Sequence, residues 1–223
     1  MLLMLNALNS NSQLSRRSAL NHNSQNIWIL KEYSTDHLPI LTTDTLLYCG
    51  LDFSEFILKK DSLNAPRATT ISDITYWTDQ FKRYCVGRKG NSRLSETLKK
   101  EIATSEEMNS HFSLMANPRV DTVDQRIDKE SIQRIINSYP KLKNNNAIAF
   151  TIIMESFDTR MDRVIMNFAF FDPSDNALLW TMKIQAPVKN FDSREAWARG
   201  MNSAFFRFQN MYHKRIRAWR KEQ

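Results

Sequence analysis

Glycine is scarce in this 223-residue chain, with only Gly50, Gly87, Gly90 and Gly200. A phosphate-cradling loop or a dinucleotide fingerprint needs glycine where the backbone approaches its ligand, so neither class fits. Gly87-Arg88-Lys89-Gly90 lacks the Walker spacing and a strand running straight into a helix, and reads as a basic loop. Cys49 and Cys85 permit one disulfide without demanding it, and they lack the CxxC spacing of a redox or zinc site. His22, His37, His111 and His213 are scattered, with no pair at metal-ligand spacing, so no metal or cofactor set emerges. A GxSxG nucleophile elbow is missing. Both cysteines fall on alternations expected to face the core, where each acts as a small buried hydrophobe. No stretch approaches the ~20 apolar residues of a membrane span. These absences leave no catalytic residue to name, and the chain reads as non-enzymatic.

Period-two alternation is plentiful. In 147–157, Ile148, Phe150, Ile152 and Met154 share a face opposite Ala149, Thr151, Ile153 and Glu155. In 163–171, Val164, Met166, Phe168 and Phe170 oppose Ile165, Asn167, Ala169 and Phe171. In 177–186, Leu178, Trp180, Met182 and Ile184 oppose Leu179, Thr181, Lys183 and Gln185. One face is apolar throughout and the other is mixed, as in an antiparallel sheet covered on one side. Short polar links at 158–162 and 172–175, the latter Asp-Pro-Ser-Asp with type I turn chemistry, make the three segments a meander.

Helical periodicity follows from about Ser193, with Asp192 as the expected cap and Glu195 three residues on. Trp197, Met201, Phe205, Phe208, Tyr212, Ile216 and Trp219 recur every three or four residues, a stripe that should roof the sheet. A second amphipathic helix over 71–86 carries Ile71, Ile74, Trp77, Phe81 and Tyr84 or Cys85, capped by Thr70 or Ser72.

The remaining segments read more coarsely. Residues 1–26 form a disordered leader; 11 of the 21 residues in 6–26 are Asn or Ser. Ile27–Tyr33 reads as a short strand. Asp44–Leu58 reads as one longer, interior strand with Leu47, Cys49, Leu51 and Phe53 on one face and Leu46, Tyr48 and Gly50 on the other. Residues 86–128 look like a polar insertion holding one surface helix through Leu94, Leu98 and Ile102. Asp128 caps a short helix bearing Ile132, Ile135, Ile136 and Tyr139 and stopped by Pro140. The expected architecture is an α/β two-layer sandwich over 27–212: a mixed, largely antiparallel sheet with a C-terminal three-strand meander, backed by the two amphipathic helices. A basic helical tail, 213–223, completes it.

Charge is concentrated in that last helix. Residues 199–223 hold seven Lys/Arg and one Glu, giving +6 of the chain's net +7. Arg207, Lys214, Arg215, Arg217, Arg220 and Lys221 are therefore the candidate contacts for nucleic acid or another anionic surface. Cations near a helix C-terminus also favour its macrodipole, which is the alternative explanation. Asp158/Asp162 and Asp172/Asp175 sit at opposite ends of one strand, about 30 Å apart at ~3.3 Å per residue, too far to share a substrate. Asp121, Asp124 and Asp128 lack the ligand density and bend glycine of a calcium loop.

The run Leu47-Tyr48-Cys49-Gly50-Leu51-Asp52-Phe53-Ser54 resembles one in small, uncharacterised bacterial cell-envelope proteins. So does Ala149–Ser156, followed by Val164–Asp172, Leu178–Gln185 and a helix with Ala196-Trp197-Ala198. Their fold is similar to the TolB N-terminal domain and to curli-secretion-channel lipoproteins. The resemblance covers roughly 44–86 and 128–212. It implies an envelope-associated or secreted interaction protein that uses a sheet edge or the open mixed face for a protein partner. The expected location is the periplasm or beyond if the native start lies upstream of Met1, and the cytoplasm otherwise. A nucleic-acid or anionic-surface binder working through the basic helix is the alternative.

Overall fold

The computed structural model describes residues 29–59, 71–85, 93–115, 119–121, 127–142, 147–189 and 193–222. In chain order the elements are β1 (Ile29–Ser34), α1 (Leu38–Thr42), β2 (Thr45–Asp52), β3 (Ile57–Lys59), α2 (Ile71–Cys85), α3 (Arg93–Leu98) and β4 (Glu101–Thr104). They continue with α4 (Glu106–Met115), β5 (Arg119–Asp121), α5 (Lys129–Asn137), β6 (Ile148–Asp158), β7 (Arg163–Phe171), β8 (Leu178–Pro187) and α6 (Arg194–Glu222). The leader, Thr70, the Gly87–Gly90 loop, Asp124 and Asp192 lie outside the described residues.

All eight strands join one mixed sheet in the order β1-β8-β7-β6-β2-β4, with β3 beside the far end of β6 and β5 beyond β3. The meander β6-β7-β8 and its neighbour β1 are antiparallel, whereas β2, β3, β4 and β5 add parallel ladders. The 86–128 segment therefore contributes sheet as well as helix. Ile102 belongs to β4, and the six-residue helix α3 buries both Leu94 and Leu98 in the main core.

The apolar face is roofed by α2 and α6, as the periodicity predicts. Phe208 stacks on Phe168 at 4.3 Å and Trp197 on Phe157 at 4.1 Å. Trp77 of α2 meets Phe157 edge-on and donates its indole N–H to the Arg194 carbonyl at 2.8 Å, tying the two helices together. The helix start differs in detail: Ser193 Oγ accepts the Ala196 N–H, the bond that an N-cap residue provides. Trp219, the last member of the stripe, still reaches the meander, meeting Trp180 of β8 edge-on, and it stacks on His37 at 4.6 Å.

The other face is closed in large part rather than open. Met108 and Phe112 of α4 and Ile132, Ile135 and Ile136 of α5 pack on Leu47, Cys49, Ala149, Ile153 and Phe171. Helix α5 is capped by Asp128, which accepts from the Ser131 N–H at 2.9 Å. It is pinned to the β7–β8 turn by Gln133, which donates to the Asn176 carbonyl and accepts the Leu178 N–H.

Asp44–Leu58 is two strands, not one, and its faces exchange partway. Register with β6 slips between Tyr48 and Gly50, and Gly50 takes φ 112°, a conformation that favours glycine. The bulge leaves Leu47 and Cys49 under α4 and α5 but returns Leu51 and Phe53 to the α2/α6 core. Asp52 then faces the opposite side, where it accepts the Tyr139 hydroxyl. Burial, with the Asp52 carboxylate alongside, holds that hydroxyl well above the ordinary tyrosine range.

Candidate anion-binding cleft

The C-terminal half of α6 runs past α1 and the α3–β4 connection, and a cleft of about 650 Å³ opens between them. Its base is apolar: Ile40 and Leu41 of α1, Leu98 of α3, and Tyr212 and Ile216 of α6. Its rim is cationic. Lys214, Arg217 and Arg220 project from α6, one to two turns apart, and Lys99 and Lys100 face them from the connection. His213 completes the rim, and among the described residues no carboxylate lines the cleft.

Local chemistry fixes this arrangement. Helix α3 ends where the Lys99 N–H bonds the Ser95 carbonyl, and Ser95 Oγ donates to the Lys100 carbonyl at 2.6 Å. Lys99 adopts φ 56°, the left-handed position after a helix that glycine normally fills. A side chain there costs on the order of 1 kcal/mol, and the side chain retained is a cation on the cleft rim. Lys100 Nζ bonds the Thr43 carbonyl. Burial pulls Lys100 below the ordinary lysine range; Asp44 opposes that shift and Arg220 adds to it. His213 is held below the ordinary histidine range by burial, then by Lys99 and Arg217. The rim is thus a set of mutually repelling cations in a concave, partly desolvated setting, which an incoming anion would relieve.

The six cations singled out in the sequence divide. Lys214, Arg217 and Arg220 meet in the cleft. Arg207 points to the sheet, donating to the Gln185 carbonyl at 2.9 Å, and burial lowers its pKa to about 10. Arg215 is held by Glu32 of β1 through Nε at 2.9 Å and Nη2 at 2.5 Å. Lys221 is exposed in the last turn. Sequence reading missed Lys99, Lys100 and His213, because only the fold sets the α3–β4 connection against α6. The Lys-Lys pair directly after Leu98 was the available signal.

The turn carboxylates do structural work. Asp172 accepts the Ser174 N–H and hydroxyl, Asp175 accepts the Ala177 N–H, and the buried Asp158 pairs with Arg160 at 3.2 Å. Cys49 is buried and free, and burial pushes its thiol far up, away from nucleophilic use. Among the described residues no group of three His, Cys, Asp or Glu could hold a metal ion, and no helix is long and apolar enough to cross a membrane.

Comparison with known proteins adds little. No family model matches the sequence, and no curated protein matches it. Among solved structures, a point variant of the PelC dodecamer from Paraburkholderia phytofirmans is similar over 77% of this chain and 90% of its own, at 11% identity and TM-score 0.28. A second crystal form of that dodecamer covers 75% and 86%, at 10% identity and TM-score 0.26. At that level of similarity neither a family nor a function follows.

Proposed function

We propose that this chain is a non-enzymatic binding protein whose α1–α6 cleft takes a single-stranded nucleic acid or a chemically equivalent phosphate polymer. One observation carries the reading: five Lys/Arg side chains from two separate parts of the chain converge on a concave surface lined by no carboxylate among the described residues. A helix that merely satisfied its macrodipole would need cations only on its own last turn. It would not need Lys99 and Lys100 opposite. The apolar base suits the faces of unstacked bases, with phosphates along the rim.

Fluorescence anisotropy of a labelled single-stranded oligonucleotide tests it. Engaging about four phosphates gives a slope near −3 in a plot of log affinity against log salt concentration. Replacing Lys99, Lys214, Arg217 and Arg220 by Gln abolishes most of that slope and weakens binding by roughly a hundredfold or more at low salt. The Arg215→Gln, Lys221→Gln pair has a much smaller effect. Because a bound anion favours His213 in its protonated form, affinity rises as pH falls through the histidine range, and His213→Gln flattens that rise. Negligible affinity at low salt, or equal losses from the two charge sets, refutes the assignment. Binding to anionic vesicles without binding to the oligonucleotide transfers the cleft to a different ligand class.

A further inference from the structure

A second, chemically different cavity lies on the opposite face of the sheet, at the end that α4 and α5 leave uncovered. It has a volume of about 480 Å³. Two irregularities build it. Register between β1 and β8 shifts between Ile29 and Lys31, and consecutive residues Leu30 and Lys31 both line the cavity while Ile29 packs with the main core. Register between β6 and β7 shifts between Met154 and Ser156, and Glu155 faces the cavity while Met154 and Phe157 stay in the core. Bulges re-aim side chains in this way, and they recur beside binding sites.

At the base, Lys183 Nζ lies 2.6 Å from Glu155 Oε2, and the Asn167 amide donates to the same oxygen at 3.1 Å. Lys31 stands directly across the ladder from Lys183, a like-charge pairing that the single Glu155 carboxylate, bound to Lys183, offsets only for one of the two cations. Glu155 is engaged by Lys183, and Asp158 by Arg160. Positive charge still exceeds negative among the described lining residues. Among the described residues, the buried Oγ of Ser156, next to Glu155 in the chain, and the buried Oδ1 of Asn167, whose amide binds Glu155, have no hydrogen-bond partner. The mouth carries apolar surface beside Lys31 and Arg160: Leu30 and Met161 are 36% and 45% exposed, two of only four large hydrophobic side chains so exposed among the described residues.

We propose that this cavity binds a small organic anion with a short apolar arm, an alkyl carboxylate or alkyl phosphate. The anionic head sits between Lys31 and Lys183, and the arm lies along Leu30, Met161 and Ile165. A cation pair alone would take any anion; the apolar side chains alone would take any hydrocarbon. Their adjacency selects molecules carrying both.

Isothermal titration calorimetry with octanoate on the full chain tests this, with octyl phosphate, acetate and octanol as companions. Octanoate and octyl phosphate bind, and acetate and octanol each bind at least about tenfold more weakly, since each lacks one half of the recognition. Lys31→Ala and Met161→Asp, both at exposed positions that leave the core intact, each weaken octanoate by about tenfold or more. The Arg217→Gln, Arg220→Gln variant of the α6 cleft binds octanoate as the parent does, which separates this site from the nucleic-acid reading. No heat from octanoate at millimolar concentration overturns the proposal. So does parental affinity in both cavity variants, or equal affinity for acetate.

Discussion

Phe208→Ala is expected to lower the unfolding free energy by about 3–5 kcal/mol in equilibrium urea denaturation followed by tryptophan fluorescence. The side chain is fully buried. Its ring lies 4.3 Å from Phe168 in a parallel stack and 5.6 Å from Phe150, and it also meets Phe170, Trp180, Phe205 and Tyr212. Those partners belong to three strands and to α6 itself, so the hole left by truncation is bounded by two stiff surfaces that cannot collapse into it. The loss combines forfeited transfer energy, forfeited dispersion contacts and loss of the joint between helix and sheet. Phe206→Ala, two residues away and 57% exposed, is the control and should shift stability by less than about 0.5 kcal/mol. Equal effects from the two truncations would mean that α6 does not roof the sheet through this residue.

The contrast between Phe206 and Phe208 also shows what sequence could reveal. Period alone separates them, because only Phe208 falls on the stripe through Trp197, Phe205 and Tyr212. The same arithmetic gave the meander and the interior place of β2 between β4 and β6. It failed where a backbone irregularity resets the count. The bulge at Gly50 exchanges the faces of β2, so Cys49 and Leu51, two apart in sequence, lie in different cores. Ile102 follows Leu98 at helical spacing, yet the chain turns at Lys99 and Ile102 becomes strand. The mixed face was expected to be open because half its residues are polar. Most of them are instead buried, under α4 and α5 or within the polar row of β6, β7 and β8.

The sites were less legible than the fold, for a related reason. Charge density picked out α6, but a linear count cannot distinguish Arg215, already held by Glu32, from Arg217, which faces Lys99 across a cleft. The cavity on the other face depends on two bulges and on the pairing of β1 with β8, which joins residues about 150 positions apart. No local pattern encodes that juxtaposition. It is a property of topology, and the residues concerned look like ordinary alternating strand positions until the register is known.

Lys183→Met is expected to cost about 3–5 kcal/mol, comparable to losing a core phenylalanine, although it replaces a charge by an apolar chain of similar length. The Lys183 and Glu155 side chains are 6% and 2% exposed, so both charges have left water and are sustained by each other. Burial draws Lys183 below the ordinary lysine range; Glu155 pulls it back up, and Lys31 and Lys59 push it further down. Removing the ammonium strands the Glu155 carboxylate with the Asn167 amide as its remaining described partner, and it deprives the Ile127 carbonyl of its donor. Most of the cost is therefore the penalty of an uncompensated buried charge rather than the net value of the pair. The Glu155→Met, Lys183→Met double variant should accordingly recover much of the loss, and the coupling between the sites should be large in a urea-denaturation double-mutant cycle. The exposed pair Arg194–Glu195, each side chain 47% exposed, supplies the contrast: Arg194→Ala should cost no more than about 1 kcal/mol. If Lys183→Met costs as little, the pair is hydrated in solution, and the polar row of the sheet is as open as its composition alone suggested.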